Sequence, residues 1–116
     1  MIIQIFGTNK CKETQKAVRF FKERKMTPHL VDLNEKALSK GELENISRAV
    51  GMENMLDKNS KEFKRLQLEF KIYDLEEKIL EYPLLLKTPI VRNGKKSTLG
   101  YEPDIWKKWI DDEKKK

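Results

Sequence analysis

The chain has 116 residues with 25 lysines and arginines against 19 aspartates and glutamates, so its formal net charge is +6 at pH 7. Its single cysteine excludes an internal disulfide and a cysteine-rich metal site. No apolar run approaches the roughly 20 residues that cross a bilayer. Residues 1–6 are too short for the core of a signal peptide, and we therefore expect a cytoplasmic protein with one domain over residues 1–116. Because the basic residues are scattered among the acids, we expect a solvated surface that binds neither nucleic acid directly nor a membrane.

The first third of the chain has the pattern of a strand, a helix and a second strand. Residues 2–6 are apolar and rich in isoleucine, which predicts a buried strand, and Gly7 interrupts it. A helix begins at Cys11, and the second strand covers residues 29–33, with Leu30 as its clearest core residue. The apolar face of the helix contains Ala17, Val18, Phe20 and Phe21. Such a unit makes the two strands parallel, and it places the loop before the helix at the carboxyl edge of the sheet.

The middle of the chain, about residues 39–82, is predicted to be a helical insertion. Ser39 with Glu42, and Asp74 with Glu77, have the spacing of capping boxes, each of which starts a helix. A short helix after residue 60 is predicted to bury Phe63 and Leu66. The other apolar stripe contains Leu43, Ile46 and Val50, with Gly51 after it as a helix stop.

The last third is predicted to form a hairpin followed by a helix. Asn93-Gly94 is a strong signal for a tight hairpin turn between two short strands. The final helix begins near Pro103, and a lysine tail covers about residues 112–116. Its predicted apolar face contains Ile105, Trp106, Trp109 and Ile110. The order of elements predicts an α/β fold of the thioredoxin-like (glutaredoxin-like) kind: a mixed four-stranded sheet with flanking helices and a helical insertion between the second and third strands.

Cys11 is the residue with the clearest chemical potential. At the start of a helix, unpaired N–H groups and the macrodipole favour an anion, and Lys10 and Lys12 add positive charge. These conditions lower the pKa of a thiol. The alternative is a small buried side chain that closes the loop, but the polar neighbours of Cys11 favour an open turn.

Two further residues are candidates for contacts with a thiolate. Thr14 stands where a C-x-x-C motif has its second cysteine, so Cys11 needs an external thiol as resolver. Thr14 either donates a hydrogen bond to the thiolate or is an ordinary residue of the first helical turn. Pro89 opens the third strand, and we expect the Thr88–Pro89 bond to be cis, with a trans proline at a strand start as the alternative.

The sequence resembles the arsenate-reductase-related family of glutaredoxin-type ArsC and Spx proteins over residues 2 to about 110. The resemblance is carried by residues 9–11 (Asn-Lys-Cys), 15–17 (Gln-Lys-Ala), 55–59 (Met-Leu-Asp-Lys-Asn), 84–91 (Leu-Leu-Leu-Lys-Thr-Pro-Ile-Val) and 99–101 (Leu-Gly-Tyr). It implies a thioredoxin-like fold and a nucleophilic cysteine at Cys11. It also implies oxyanion-binding arginines at three positions where this chain has Asp57, Thr88 and Gly100-Tyr101.

We therefore expect a thiol-dependent oxidoreductase that acts on a small-molecule thiol or a protein disulfide. Cys11 would be catalytic, and the thiol-binding candidates are Lys10, Lys12, Thr14, Lys58, Thr88 and Pro89. We expect no metal and no bound cofactor, with glutathione or glutaredoxin as co-substrate. Two alternatives remain, namely an Spx-like module that binds RNA polymerase or another protein, and arsenate reduction with lysines in place of the arginines.

Overall fold

The computed structural model describes residues 1–115 as an α/β fold built on one mixed sheet. The strands are β1 (Ile3–Gly7), β2 (His29–Asp32), β3 (Ile90–Asn93) and β4 (Lys96–Leu99), and the helices are α1 (Lys12–Glu23), α2 (Lys40–Val50), α3 (Met52–Met55), α4 (Lys61–Arg65), α5 (Leu75–Glu81) and α6 (Pro103–Lys114). Single 3₁₀ turns cover Leu68–Phe70 and Pro83–Leu85. Among the residues described, no helix is long and apolar enough to cross a membrane.

The sheet has the strand order β2-β1-β3-β4, with β2 parallel to β1 and the other neighbours antiparallel. This is the predicted mixed four-stranded sheet, and α2–α5 form the predicted insertion between β2 and β3. The β3–β4 turn has Gly94 at φ +62°, a conformation that glycine adopts without strain.

The helices form two layers because side chains of each strand alternate between the two faces of the sheet. On one face, α1 and α6 cover Ile3, Ile5 and Val91, and their buried residues Ala17, Phe20, Phe21, Trp106 and Trp109 complete this cluster. On the other face, Phe6 and Ile90 pack against residues of α2, α3 and α5. A third cluster of Leu56, Phe63, Leu68 and Leu85 holds the insertion together.

The predicted helix starts in the insertion are confirmed. Ser39 Oγ accepts the Glu42 N–H at 3.1 Å, and Glu42 Oε1 accepts the Ser39 N–H at 2.9 Å. Asp74 Oδ1 accepts the Glu77 N–H at 3.0 Å. Gly51 ends α2 at φ +86°.

Three details of the sequence-based prediction are wrong. Leu30 is 51% exposed, because β2 is an edge strand and the α1–α6 layer is centred on β1 and β3; the buried leucine is Leu33, just after β2. Ile105 is 42% exposed, since α6 turns Trp106 and Trp109 towards the sheet instead. The predicted tail at 112–116 is helical through Lys114, and residue 116 lies outside the described part.

Candidate functional site: the Cys11 loop and the Thr88–Pro89 segment

Cys11 lies at the junction between β1 and α1. Its N–H donates to the Thr8 carbonyl at 3.2 Å, which closes the turn after β1, and its own carbonyl accepts from the Gln15 N–H at 3.2 Å. Cys11 is thus the N-cap residue of α1, with an extended backbone at φ −82° and ψ 111°. Its side chain is half-buried at the end of the helix where unpaired N–H groups concentrate.

The Thr88–Pro89 segment lies directly against the sulfur. The Thr88 hydroxyl donates a hydrogen bond to Cys11 Sγ at 3.1 Å, and Sγ lies 3.7 Å from the Thr88 carbonyl oxygen. The Thr88–Pro89 bond is cis, as the sequence predicts. Thr88 therefore offers a donor to the thiolate and an acceptor to the thiol.

Backbone hydrogen bonds on both sides of Thr88 hold the segment in place. The Lys87 N–H donates to the Met55 carbonyl at 2.8 Å, which ties the segment to α3 of the insertion. The Gly100 N–H donates to the Pro89 carbonyl at 2.8 Å, which ties it to the residue after β4. The contact between Thr88 and Cys11 thus depends on three separate parts of the chain.

The pKa of the Cys11 thiol lies below its ordinary value as the net result of opposing effects. Partial burial raises this pKa, and it is the largest single effect. The hydroxyls of Thr14 and Thr88 and the backbone N–H groups of Thr14 and Glu13 lower it, and together they outweigh the burial. The geometry therefore favours the thiolate, which is the nucleophilic form of cysteine.

Thr14 is held beneath the Cys11 loop by close packing against β1. Thr14 is only 9% exposed, and its buried Oγ1 makes no hydrogen bond to the described residues. A Cβ on Gly7 would lie 2.6 Å from Thr14 Cγ2, so any other residue at position 7 would have to displace the Thr14 side chain. The Thr14 hydroxyl acts on the Cys11 pKa through proximity, whereas the Thr88 hydroxyl has hydrogen-bond geometry, and we regard Thr88 as the better-defined donor.

The three candidate lysines lie at exposed positions. Lys10 and Lys12 flank Cys11, but neither is among the causes of its lowered pKa, which come from burial and hydrogen bonds. Lys58 lies on the loop between α3 and α4, where it lines a cavity with Phe63 and Phe70. The structure therefore groups Cys11 with Thr14, Thr88 and Pro89, and it places Lys58 on the surface of the insertion.

The positions at which the family resemblance implies arginines hold other contacts. The Asp57 carboxylate accepts the Asn59 N–H at 2.9 Å in a local turn. Gly100 has φ +79°, and the Tyr101 ring packs edge-on against Trp106 with 5.5 Å between centroids. None of these residues has the planar donor set that binds an oxyanion through two oxygens at once.

The sequence-based prediction missed two features beside Cys11. The sequence-based prediction treats Gly7 only as the end of a strand. A glycine directly before a reactive loop also indicates that another part of the chain packs closely on its backbone, and this signal could have identified the contact with Thr14. A groove of about 400 Å³ also opens between α1 and β2, lined by Thr14, Val18 and the exposed Leu30 among others. The groove exists because β2 is an edge strand, which the sequence did not reveal.

Comparison with known proteins identifies the family and the fold. A model of the ArsC family matches residues 6–109. The global transcriptional regulator Spx 2 of Oceanobacillus iheyensis is 33% identical over 109 residues, which cover 90% of this chain and 80% of that protein.

Solved structures also share the fold. Arsenate reductase from Vibrio cholerae superposes with a TM-score of 0.77 at 21% identity, covering 90% of this chain and 94% of that one. An arsenate reductase (ArsC) related protein from Brucella melitensis gives 0.67 at 19% identity, with 95% of both chains covered. At 21% and 19% identity these two structures establish only that the fold is shared. Membership of the family is established by the family model and by the Spx 2 relative. On these grounds the chain belongs to the ArsC family.

Proposed function

We propose that this protein is a single-cysteine thiol–disulfide oxidoreductase in which Cys11 is the nucleophile. The observation that carries the proposal is a half-buried sulfur that accepts a hydrogen bond from Thr88 and has a lowered pKa. A thiolate that is both populated near neutral pH and reachable by another sulfur can attack a disulfide.

The proposed reaction is a pair of thiol–disulfide exchanges. The Cys11 thiolate attacks one sulfur of a substrate disulfide, the S–S bond breaks, and the other sulfur leaves as a thiolate that takes a proton from water. The product is a mixed disulfide on Cys11. A second thiolate, from glutathione or a glutaredoxin, then attacks that mixed disulfide, releases the Cys11 thiolate and carries away the bound half as a new disulfide. Reduction of the substrate is therefore matched by oxidation of the external thiol.

An external resolver is required because the chain has one cysteine and Thr14 occupies the place of a second. We propose that the exposed Lys10 and Lys12 attract an anionic thiol such as glutathione, whose carboxylates they can pair with. The backbone beside cis-Pro89 is the proposed contact for the substrate chain. Lys58 has no part in this proposal, because the cavity that it lines is formed by residues of the insertion and does not include Cys11.

Arsenate reduction is poorly supported by the same site. Arsenate is a doubly charged oxyanion near neutral pH, and guanidinium groups suit its oxygens better than point charges do. Asp57, Thr88 and Tyr101 stand at the expected arginine positions, and Asp57 adds a negative charge. A disulfide has no such charge to neutralise, so the observed residues fit it better.

The proposal is tested by the reactivity of Cys11. Iodoacetamide alkylation followed against pH should show a thiolate population at neutral pH well above that of a free cysteine. Mass spectrometry after exposure to oxidised glutathione should find one glutathione adduct, located on Cys11, that added glutathione removes. The Cys11→Ser variant is the control for both measurements. An alkylation profile like that of free cysteine, or the absence of an adduct, would refute the proposal.

The Spx 2 relative favours a second candidate, a regulatory module that binds RNA polymerase without turnover. It is distinguished by binding experiments with purified RNA polymerase and with wild type or Cys11→Ser protein. Saturable binding of both forms together with no disulfide exchange would favour the regulator. Exchange activity without polymerase binding would favour the oxidoreductase.

A further inference from the structure

The segment between α4 and α5 holds two large apolar side chains out in solvent. Phe70 is 83% exposed and Ile72 is fully exposed. The segment is anchored on both sides, because Leu68 is buried and Tyr73 packs against the same third cluster. The exposure of Phe70 and Ile72 is thus imposed by a fixed backbone and is unlike that of a free chain end.

The backbone of this segment begins in an uncommon conformation. Gln67 has φ +55° and ψ 36°, in the left-handed region that non-glycine residues rarely adopt. The left-handed residue ends the helical turn of α4 and starts the 3₁₀ turn that carries Phe70. Gln67 thus ends α4 in the same way that Lys25, at φ +61°, follows the end of α1, and it sets the direction in which the chain that carries Phe70 and Ile72 leaves the helix.

Basic residues lie beside Phe70, and Ile72 directly follows one of them, Lys71, in the chain. A cavity of about 880 Å³ is lined by Lys58, Lys64 and Lys71 together with Phe70, and Glu69 is the one acid in its lining. None of the three lysines has an ion-pair partner within residues 1–115. We call Lys58, Lys64, Phe70, Lys71 and Ile72 the insertion surface.

We propose that the insertion surface docks an acidic segment of a partner protein, which places an aliphatic or aromatic side chain against Phe70 and Ile72 and its carboxylates near the three lysines. Apolar anchors supply most of the affinity in such interfaces, and surrounding charges select the partner and speed its approach. Cys11 has no part in this contact, so the inference is independent of the proposed oxidoreductase activity.

The observations favour this occupant over two others. A nucleic acid would stack successive bases on several aromatic rings, but the insertion surface offers only Phe70, and Glu69 beside it would repel phosphates. A second copy of the chain would bring together two molecules with a net charge of +6 each, which opposes association. An acidic partner segment matches both the apolar and the basic parts of the surface.

The experiment selects random peptides displayed on phage against the wild-type protein and measures the synthesised winners by fluorescence anisotropy. We expect enrichment of Asp and Glu around Leu, Ile, Phe or Trp. The Phe70→Ser/Ile72→Ser variant should bind the winners about 30-fold more weakly. Replacement of the three lysines by glutamine should weaken binding about tenfold in low salt and should flatten its salt dependence.

Ile2→Ser is the matched control, because Ile2 is 78% exposed and lies outside the insertion. It should leave affinity within about twofold, and circular dichroism should show that all variants are folded, since the replaced side chains make little packing contact. Failure to select peptides, winners without acidic residues, or equal losses in the control would overturn the proposal. So would self-association, or binding of a single-stranded DNA probe, that the Phe70→Ser/Ile72→Ser variant abolishes.

Discussion

Gly7 and Thr14 provide a direct test of how the Cys11 site is packed. A Cβ on Gly7 would lie 2.6 Å from Thr14 Cγ2 and 3.0 Å from Thr14 Cβ, and closer still to Oγ1. These atoms belong to a β-branched side chain in the first turn of α1, which has little rotamer freedom. Gly7→Ala should therefore cost about 1–3 kcal/mol of unfolding free energy, as overpacking generally does.

The same reasoning predicts that Thr14→Ala relieves most of the cost. Thr14→Ala removes Oγ1 and Cγ2 and leaves only the Cβ contact at 3.0 Å. In that background Gly7→Ala should cost less than about 1 kcal/mol, so the two substitutions should couple by about 1–2 kcal/mol. Because Gly7→Ala displaces Thr14, it should also raise the pKa of the Cys11 thiol in the alkylation profile.

Urea denaturation of wild type, both single variants and the double variant measures the coupling. Gly41→Ala is the control, because nothing lies within 4 Å of a Cβ at Gly41 in α2. It should be neutral or stabilising by up to about 1 kcal/mol. Additive effects of Gly7→Ala and Thr14→Ala, or a comparable loss in Gly41→Ala, would show that the described contact does not determine the packing.

Four further outcomes are expected. Thr88→Val removes the 3.1 Å hydrogen bond to Cys11 Sγ, so alkylation of Cys11 at neutral pH should slow by about tenfold. Thr88→Ser should restore the rate. An unchanged rate in Thr88→Val would exclude Thr88 as the donor. Folding lowers the pKa of Cys11, so wild type should gain stability over Cys11→Ser as pH rises from the folded pKa towards the unfolded value of about 8.5. This gain should be lost as pH falls through the folded pKa. A stability difference that urea melts show to be constant with pH would contradict the prediction. Thr98→Val leaves the buried Trp106 indole N–H, now bonded at 2.8 Å, without its acceptor and should cost about 1–3 kcal/mol in the same urea assay. Ser39→Ala removes the N-cap of α2 and should lower the unfolding free energy by about 1 kcal/mol, whereas no change would mean that the cap is replaced by water.

The candidate site was predictable where it depended on local sequence. Cys11 at a helix start follows from the break after β1, and Thr88–Pro89 follows from a proline at a strand start. Cys11 and Thr88 are 77 positions apart in the sequence, so their contact could be expected only through the fold that the order of elements implies. The cause of the lowered Cys11 pKa was not predictable. The sequence attributes the lowering partly to the flanking lysines, whereas in the structure it comes from hydrogen bonds that outweigh the effect of burial.

The sequence by itself determined the local features of this protein: its helix starts at Ser39 and Asp74, its hairpin at Gly94 and the order of its strands and helices. These depend on hydrogen bonds and turn conformations formed within a few residues. Only the tertiary structure decided that Leu30 and Ile105 are exposed, that Thr14 fills the space above Gly7, and that Phe70 and Ile72 project into solvent. Apolar periodicity shows which side chains can be buried, whereas burial itself depends on which distant element covers them.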